Sequence, residues 1–244
     1  MLRNRFIIIY TLVFFALTSG IIYLGKDSNK TVISMLNIVL LLVPLVSIIF
    51  GTVHFYNSRK FIEMLLTLPI NRKSIFWAEY IGLSSSLSFS TIFGVGVPLL
   101  IHGTSITGIF LVIIGIILSF IFTGLALVLS LVNNDRAKGI GFVLMIWFFF
   151  SIVFDALVLL FIYLFNDYPL QKLIFVLAIL NPIDLARIIM LLKLDISALM
   201  GYTGAIFQNF FGSFKGSLFS LGLLLMWILI PALIALRIFN RKNF

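Results

Sequence analysis

The sequence predicts an all-α integral membrane fold with six transmembrane helices, and its composition, apolar runs and charge placement support this. The 244 residues are 62% hydrophobic and 10% charged, with a mean hydropathy of +1.23. A soluble domain is about half apolar and about a quarter charged. So much apolar surface needs lipid to cover it, which excludes an ordinary soluble enzyme.

Seven apolar runs approach the length of about 20 residues that a helix needs to cross a bilayer. They are 6–24, 32–53, 75–101, 106–132, 139–165, 173–192 and 217–236. The stretches between them are short, so residues 1–244 are predicted to form one transmembrane domain. The ATP-binding motif G-x-x-x-x-G-K-[ST] does not occur in the sequence, so no ATPase activity is expected of this chain itself.

The placement of basic residues predicts the topology, because cytoplasmic loops carry an excess of Lys and Arg. A cytoplasmic N-terminus puts the following basic residues inside: Arg3, Arg5, Arg59, Lys60, Arg72, Lys73, Arg136 and Lys138. If all seven runs crossed, the C-terminal Arg237, Arg241 and Lys242 would lie outside. Six crossings return them to the cytoplasm. We therefore predict a multi-pass membrane protein with both termini cytoplasmic.

The run 173–192 is the one expected not to cross. Asn181-Pro182 interrupts it, and proline both removes a backbone donor and disfavours helix at the preceding residue. Broken helices at membrane depth persist only where protein or a water-filled cavity covers them. Residues 171–193 are thus predicted to be a re-entrant or surface-lying helical pair on the outer face, within an outer region that extends over 171–216.

A short amphipathic helix is predicted over residues 58–69, between the second and third spans. Ser58 is a candidate N-cap, and Pro69 stops the helix. Apolar residues recur at helical spacing between them: Phe61, Ile62, Leu65, Leu66 and Leu68. One interpretation is a helix lying in the lipid interface. The other is a docking helix for a soluble partner, with Glu63 as its acidic contact.

The pattern S-R-x-F-x-E-x-L-L-x-x-P-I-x-R, which Ser58 to Arg72 match, resembles permeases of the ABC-2 type. In that family this stretch is a coupling helix that sits in a groove of a separate ATPase subunit. The resemblance implies ATPase-coupling roles for Ser58, Arg59, Lys60, Phe61, Glu63, Leu65, Leu66, Pro69 and Arg72. It also implies a second copy of the permease and two ATPase subunits, which bind ATP and Mg.

More specifically, the chain resembles the permease of the transporter that serves maturation of nitrous oxide reductase. The stretches Leu180–Arg187 and Ala198–Ala205 carry this resemblance. It implies a location in the bacterial inner membrane, a role in copper-centre maturation and a periplasmic accessory protein as a further partner. Such permeases usually begin with an amphipathic elbow helix, whereas only Met1–Arg5 precede the first run here, so a short or missing elbow is expected.

Three polar residues inside the apolar runs are functional candidates: Asp155, Glu79 and Asn37. Asp155 lies within the fifth run and has no evident partner in the sequence. Its alternative role is a protonated carboxyl bonded to a neighbouring helix. Glu79 could reach headgroups or Lys73.

Asn181, Pro182, Asp184 and Arg187 are candidates for an outer gate or a partner contact. Asp184 and Arg187 can pair, because residues three apart share a helix face. The alternative role of this pair is structural support within the membrane.

Small residues in the third and fourth runs are expected to serve close helix packing. Ser84 and Ser88 share a helix face, and Gly94, Gly108, Gly115 and Gly124 leave room for a neighbouring backbone.

The residue types present argue against other chemistries. Cysteine is absent, and the two histidines, His54 and His102, are too few for a zinc-protease type of site. No two methionines share a helix face as a copper site would favour, so no metal or other cofactor is expected in this chain. The basic residues flank apolar runs, so no nucleic-acid partner is expected.

Two further functions stay open: an ABC-2 exporter of a lipid, peptide, drug or polysaccharide, or a non-transporting membrane assembly factor or intramembrane enzyme. An intramembrane protease would need paired aspartates or a Ser–His couple, and Asp155 has no evident partner.

Overall fold

The computed structural model describes residues 5–25, 28–101, 106–165, 171–193 and 214–242, nearly all of which are helical. No strand occurs among these residues. The helices are α1 Arg5–Leu24, α2 Ser28–Leu66, α3 Arg72–Ile101, α4 Ile106–Val132, α5 Arg136–Leu164, α6 Gln171–Leu180, α7 Pro182–Lys193 and α8 Phe214–Arg241. Helices α3 and α5 each contain a π-helical turn, at Ile92–Gly96 and Phe149–Val153.

Six of the described helices are long and apolar enough to cross a membrane, namely α1 to α5 and α8. This confirms the predicted all-α fold with six transmembrane helices. Helices α6 and α7 have 10 and 12 residues. At 1.5 Å per residue they are about 15 and 18 Å long, too short to cross on their own. The chain breaks between them at Asn181, as Pro182 predicted, while their place on the outer face stays a prediction.

Helix α2 differs from the prediction, because it is one continuous helix of 39 residues that includes the segment after Ser58. A separate helix starting at Ser58 is therefore wrong. Ser58 does not cap a helix, since its hydroxyl lies 3.1 Å from Nε2 of His54, one turn earlier in the same helix. The helix ends at Leu66, and Pro69 lies in the turn that follows. The predicted coupling segment is thus the C-terminal extension of the second span.

Helix α4 forms the centre of the bundle and packs against α2, α3, α5, α7 and α8. Its side chains Leu111, Leu118, Ile121 and Phe122 are almost inaccessible. Helix α7 is also buried within the bundle: Leu185, Ala186 and Met190 are fully covered. Packing inside the bundle favours the re-entrant form of α7 over the surface-lying one.

The small residues of α3 and α4 allow close helix contact, as predicted. A Cβ added at Gly94 would lie 2.6 Å from Cβ of Phe14, and one at Gly115 would lie 2.8 Å from Cγ2 of Thr91. Ser84 and Ser88 are buried, and the Ser88 hydroxyl donates to the carbonyl of Ser84 at 2.8 Å. Such bonds within one helix let a hydroxyl be buried without a partner on another helix.

Candidate functional site

The C-terminal extension of α2 has one face on the core and one face exposed. Ile62 is buried, and Leu65 and Leu66 are partly buried against the cluster that includes side chains of α3 and α8. Phe61, Met64 and Leu68 are exposed. The predicted apolar stripe is therefore divided, and Leu65 and Leu66 support the helix rather than lie open to a partner. We call the exposed side chains Phe61, Met64 and Leu68 the tip patch.

Two charged residues of this extension form an ion pair with each other. Arg59 Nε lies 3.2 Å from Glu63 Oε1, one turn along the helix. Lys60 is exposed beside them. Glu63 was predicted to be the acidic contact for a partner. Its carboxylate now carries an intrahelical ion pair, so a partner would meet Glu63 and Arg59 together.

Contacts between α2 and the loop that joins α4 to α5 hold the extension in place. The Tyr56 hydroxyl donates to the carbonyl of Asn133 at 2.8 Å, and Arg136 Nη1 donates to Asn57 Oδ1 at 3.1 Å. Arg59 Nη1 reaches the carbonyl of Asn134 at 3.4 Å. We call these three contacts the α2–α5 latch. They tie the start of the fifth span to the second span.

The latch also depends on a glycine in the first turns of α5. A Cβ built at Gly139 would lie 2.1 Å from the Tyr56 hydroxyl oxygen and within 3 Å of two further ring atoms of Tyr56. A side chain at position 139 would therefore push Tyr56 away from the loop. Sequence reasoning found Arg136 as a basic residue but missed Tyr56, Asn57 and Asn133. The available signal was the positive-inside rule, which puts the end of α2 and the loop between α4 and α5 on the same side of the membrane.

The turn after α2 leads directly into the third span. Asn71 caps α3, accepting a bond from the backbone N–H of Lys73 at 3.1 Å. Arg72 Nη1 donates to the backbone carbonyls of Asn240 and Lys242, at 3.3 and 3.2 Å. Arg72, predicted to serve ATPase coupling, thus anchors the C-terminal end of α8 to the start of α3.

Glu79 faces the second span, α2. Its Oε1 lies 3.0 Å from Nε2 of His54, and both side chains are mostly covered. Glu79 Oε1 accepts no hydrogen bond among the residues that the structure describes, so this contact is a close approach of the two side chains. The predicted reach to Lys73 is wrong, because residues six apart lie on different sides of a helix. Glu79 therefore links α3 to α2 at His54, which precedes the latch residues Tyr56 and Asn57 along α2.

A second polar cluster lies near the other end of the bundle and unites residues that the sequence suggested separately. Arg187 Nη1 lies 2.6 Å from Asp155 Oδ2 and 3.2 Å from Asp184 Oδ1. The predicted pair of Asp184 and Arg187 is confirmed, and Asp155, which had no evident partner, binds the same guanidinium. About a third of the Asp155 and Arg187 side chains is exposed. We call Asp155, Asn181, Asp184 and Arg187 the outer cluster, after the outer face predicted for this region.

Asn181 organises the outer cluster. Its Oδ1 accepts a bond from the N–H of Ile183 at 3.0 Å, so Asn181 is the N-cap of α7 and Pro182 is the first helical residue. Its Nδ2 donates to Asp184 Oδ2 at 2.9 Å and to the carbonyl of Phe150 at 2.8 Å. Phe150 lies in the π-helical turn of α5, where altered backbone spacing leaves a carbonyl available. The break at Asn181-Pro182 is thereby fixed to α5.

The remaining candidates do not join either cluster. Asn37 is exposed on α2 and faces away from the bundle, so it is not part of an interior polar site. His102 and the stretch Ala198–Ala205 lie outside the described residues. Among the residues that the structure describes, no group of three His, Cys, Asp or Glu side chains could hold a metal ion.

Comparison with known proteins identifies the family of this chain. The chain matches the model of the ABC-2 family transporter proteins over residues 1–244. A protein named "Probable ABC transporter permease protein NosY" from Stutzerimonas stutzeri is 27% identical over 274 aligned positions, which cover 99% of this chain and 94% of the relative. A protein of the same name from Pseudomonas aeruginosa is 27% identical over 221 positions, covering 82% of this chain and 80% of the relative. The chain therefore belongs to the ABC-2 transporter family and is the permease subunit of an ABC transporter.

Proposed function

We propose that two copies of this permease assemble with two cytoplasmic ATPase subunits, which dock on the end of α2 and bind ATP and Mg. The observation that carries this proposal is the exposed tip patch on a helix that is continuous with the second span. An exposed apolar patch with charged residues beside it suits a groove on a soluble partner.

The contacts support a cytoplasmic location for this end of the bundle. Arg136 bonds Asn57 in α2, and Arg72 bonds the last residues of α8, so the basic loop residues and the C-terminal basic residues share one end. Their common position agrees with the positive-inside rule. In this orientation both termini are cytoplasmic and the outer cluster lies toward the periplasm of a bacterial inner membrane.

The proposed mechanism transmits motion through two helices. Displacement of the tip patch by an ATPase moves α2 directly, because no break separates the tip from the span. The α2–α5 latch passes the same displacement to the start of α5. Asp155 lies 19 residues, or about 28 Å, further along that helix. Movement of α5 therefore displaces Asp155 relative to Arg187 at the other end of the bundle.

At that end, the outer cluster is proposed to act as a gate or as a contact for a periplasmic accessory protein. Asn181 and Arg187 hold α7 to α5 through polar bonds that a partner could replace. Two discrete arrangements of α5 against α7 would make this contact a switch. Nothing in this mechanism requires a substrate to pass through the bundle.

We further propose that the transporter serves copper-centre maturation of nitrous oxide reductase. The likeness to two NosY permeases over most of the chain supports this role. The test is deletion of the gene in a host that makes the reductase. The expected result is a reductase that is made but lacks its catalytic copper cluster, seen by metal content and visible absorption. A fully active reductase would instead favour export of a lipid, peptide, drug or polysaccharide.

The coupling proposal is tested by Glu63→Arg in the intact complex. This change puts a third positive charge beside Arg59 and Lys60, and we expect loss of ATPase co-purification or of permease-stimulated ATP hydrolysis. Glu63→Gln is the matched control, since it breaks the ion pair with Arg59 without adding a positive charge. Unchanged assembly and hydrolysis in Glu63→Arg would contradict docking at this segment.

A further inference from the structure

A groove between α1 and α2 has no role in the function proposed above. Its volume is about 630 Å³, within the range of about 300–1,000 Å³ that is usual for small-molecule sites. Along α1 it runs from Phe6 to Phe14, and along α2 from Asn57 to Leu42. The two helices are antiparallel here, so Phe6 and Asn57 mark one end and Phe14 and Leu42 mark the other.

The length of the groove matches one leaflet of a bilayer. Leu42 and Asn57 are 15 residues apart, which is about 22 Å along α2. Phe6 and Phe14 are eight residues apart, or about 12 Å along α1. Half of the hydrocarbon core of a bilayer is about 15 Å thick. The groove therefore extends from the headgroup level of the cytoplasmic leaflet to about the membrane centre.

The polarity of the groove changes from one end to the other. Among the described residues that line it, His54 and Asn57 are polar and lie at the cytoplasmic end. Tyr10 also belongs to the wall, but its hydroxyl oxygen is buried and so not accessible from the groove. Arg136 is exposed and lies 3.1 Å from Asn57, which adds a positive charge at the same end. An occupant should therefore have an apolar body and a negatively charged head.

We propose that this groove binds an acyl chain of an anionic phospholipid from the cytoplasmic leaflet, with its headgroup phosphate at Asn57 and Arg136. Basic pockets between transmembrane helices on the cytoplasmic side are suited to such headgroups. The proposal rests on the membrane orientation given above. It places the lipid headgroup at the α2–α5 latch, where it contacts the same Arg136 that ties α5 to α2.

A helix of a second copy is the alternative occupant of this groove, and the cysteine experiment below distinguishes it from a lipid. A hydrocarbon chain is narrow enough to enter between α1 and α2 without separating them.

Native mass spectrometry of the purified transporter complex tests this site. The complex is reconstituted with phosphatidylglycerol or with phosphatidylcholine and then released into the gas phase. We expect phosphatidylglycerol to be retained in preference to phosphatidylcholine. Ile9→Trp, which fills the groove, should abolish this retention. Ile8→Trp is the matched control, because Ile8 is a neighbouring exposed residue of α1 that does not line the groove. Arg136→Gln should reduce the preference for phosphatidylglycerol about fivefold, as expected for one cation near the surface.

Equal lipid retention by wild type, Ile9→Trp and Ile8→Trp would overturn the proposal. So would disulfide formation between two copies carrying Ile9→Cys, because a second copy would then occupy the groove. The chain contains no other cysteine that could confuse this measurement. Lipid retention is read without ATP hydrolysis, so a failed lipid site and a failed coupling site give separate results.

Discussion

Helices α4 and α5 are alike in sequence but are held in the bundle in different ways. In an 18-residue window of each helix, the mean hydropathy is 2.8 for α4 and 2.6 for α5. Yet 61% of the α4 window is buried and only 11% of the α5 window. Mean hydropathy therefore identifies both helices as membrane spans but does not show what holds either one in the bundle. The burial indicates that α4 is held by packing, and that α5 needs another kind of contact.

Polar contacts supply that other kind of contact at three levels of α5. Arg136 bonds Asn57 at its start, the Trp147 indole donates to the carbonyl of Leu41 at 3.2 Å in its middle, and Asp155 pairs with Arg187 beyond the π-helical turn. Polar bonds between helices are few and directional, and they can be exchanged one at a time. A helix held in this way moves with a small loss of buried apolar area. We infer that α4 is the fixed frame of the permease and α5 its moving element.

The largest expected effect comes from Arg187→Leu, which removes the outermost of these contacts. Asp155 and Asp184 would then face each other without a cation in a poorly solvated site. Removing one partner of a buried ion pair costs about 3–5 kcal/mol. Because about a third of the Asp155 and Arg187 side chains is exposed, we expect about 3 kcal/mol here. The measurement is the thermal unfolding midpoint of the purified protein in detergent.

A second change makes this prediction specific to charge. Arg187→Leu combined with Asp155→Asn removes one carboxylate together with the guanidinium, so it should recover part of the lost stability. If the double variant is no more stable than Arg187→Leu alone, the loss comes from packing of the arginine stem, and α5 would be held by packing as α4 is.

An intermediate effect is expected from glycines on the two helices. Gly115→Leu in α4 would place a Cβ 2.8 Å from Thr91 Cγ2, and overpacking of this kind costs about 1–3 kcal/mol. Gly141→Leu in α5 is the matched control, since nothing lies within 4 Å of its added Cβ. Leucine also favours helix over glycine by up to about 1 kcal/mol. Unfolding midpoints should therefore fall for position 115 and stay level or rise for position 141.

Equal losses at both glycines would show that α5 is covered as closely as α4, for example by a second copy of the permease. That result would leave the fold unchanged and would contradict the idea of α5 as the moving element.

The features that could be predicted from the sequence are those set by neighbouring residues. Apolar runs gave the six spans, and Pro182 gave the break after Asn181. Spacing on one helix gave the pair of Asp184 and Arg187. These depend on local length, backbone chemistry and helical periodicity, which a single sequence records directly.

Contacts between distant residues could not be predicted in the same way. Asp155 and Arg187 are 32 residues apart, and their pairing depends on how α7 folds back against α5. The continuity of α2 was missed because a serine can cap a helix or lie within one. Asn37 was predicted to be an interior candidate, but which face of α2 meets the bundle is decided by packing against α4 and α5.

The smallest expected effect is that of Trp147→Phe, which removes the middle contact of α5 and keeps an aromatic ring. One interhelical hydrogen bond of this kind contributes about 0.5–1 kcal/mol in a membrane protein, so the unfolding midpoint should fall slightly. Trp227→Phe is the matched control, because the bond it loses joins the Trp227 indole to the carbonyl of Ile179 in α6 at 3.0 Å, while phenylalanine keeps an aromatic ring against Phe150 of α5. If α5 transmits motion, the two variants should lose similar stability, but only Trp147→Phe should change ATP hydrolysis by the assembled complex. Equal rates of ATP hydrolysis in the two variants would mean that the middle of α5 does not transmit motion between the α2–α5 latch and the outer cluster.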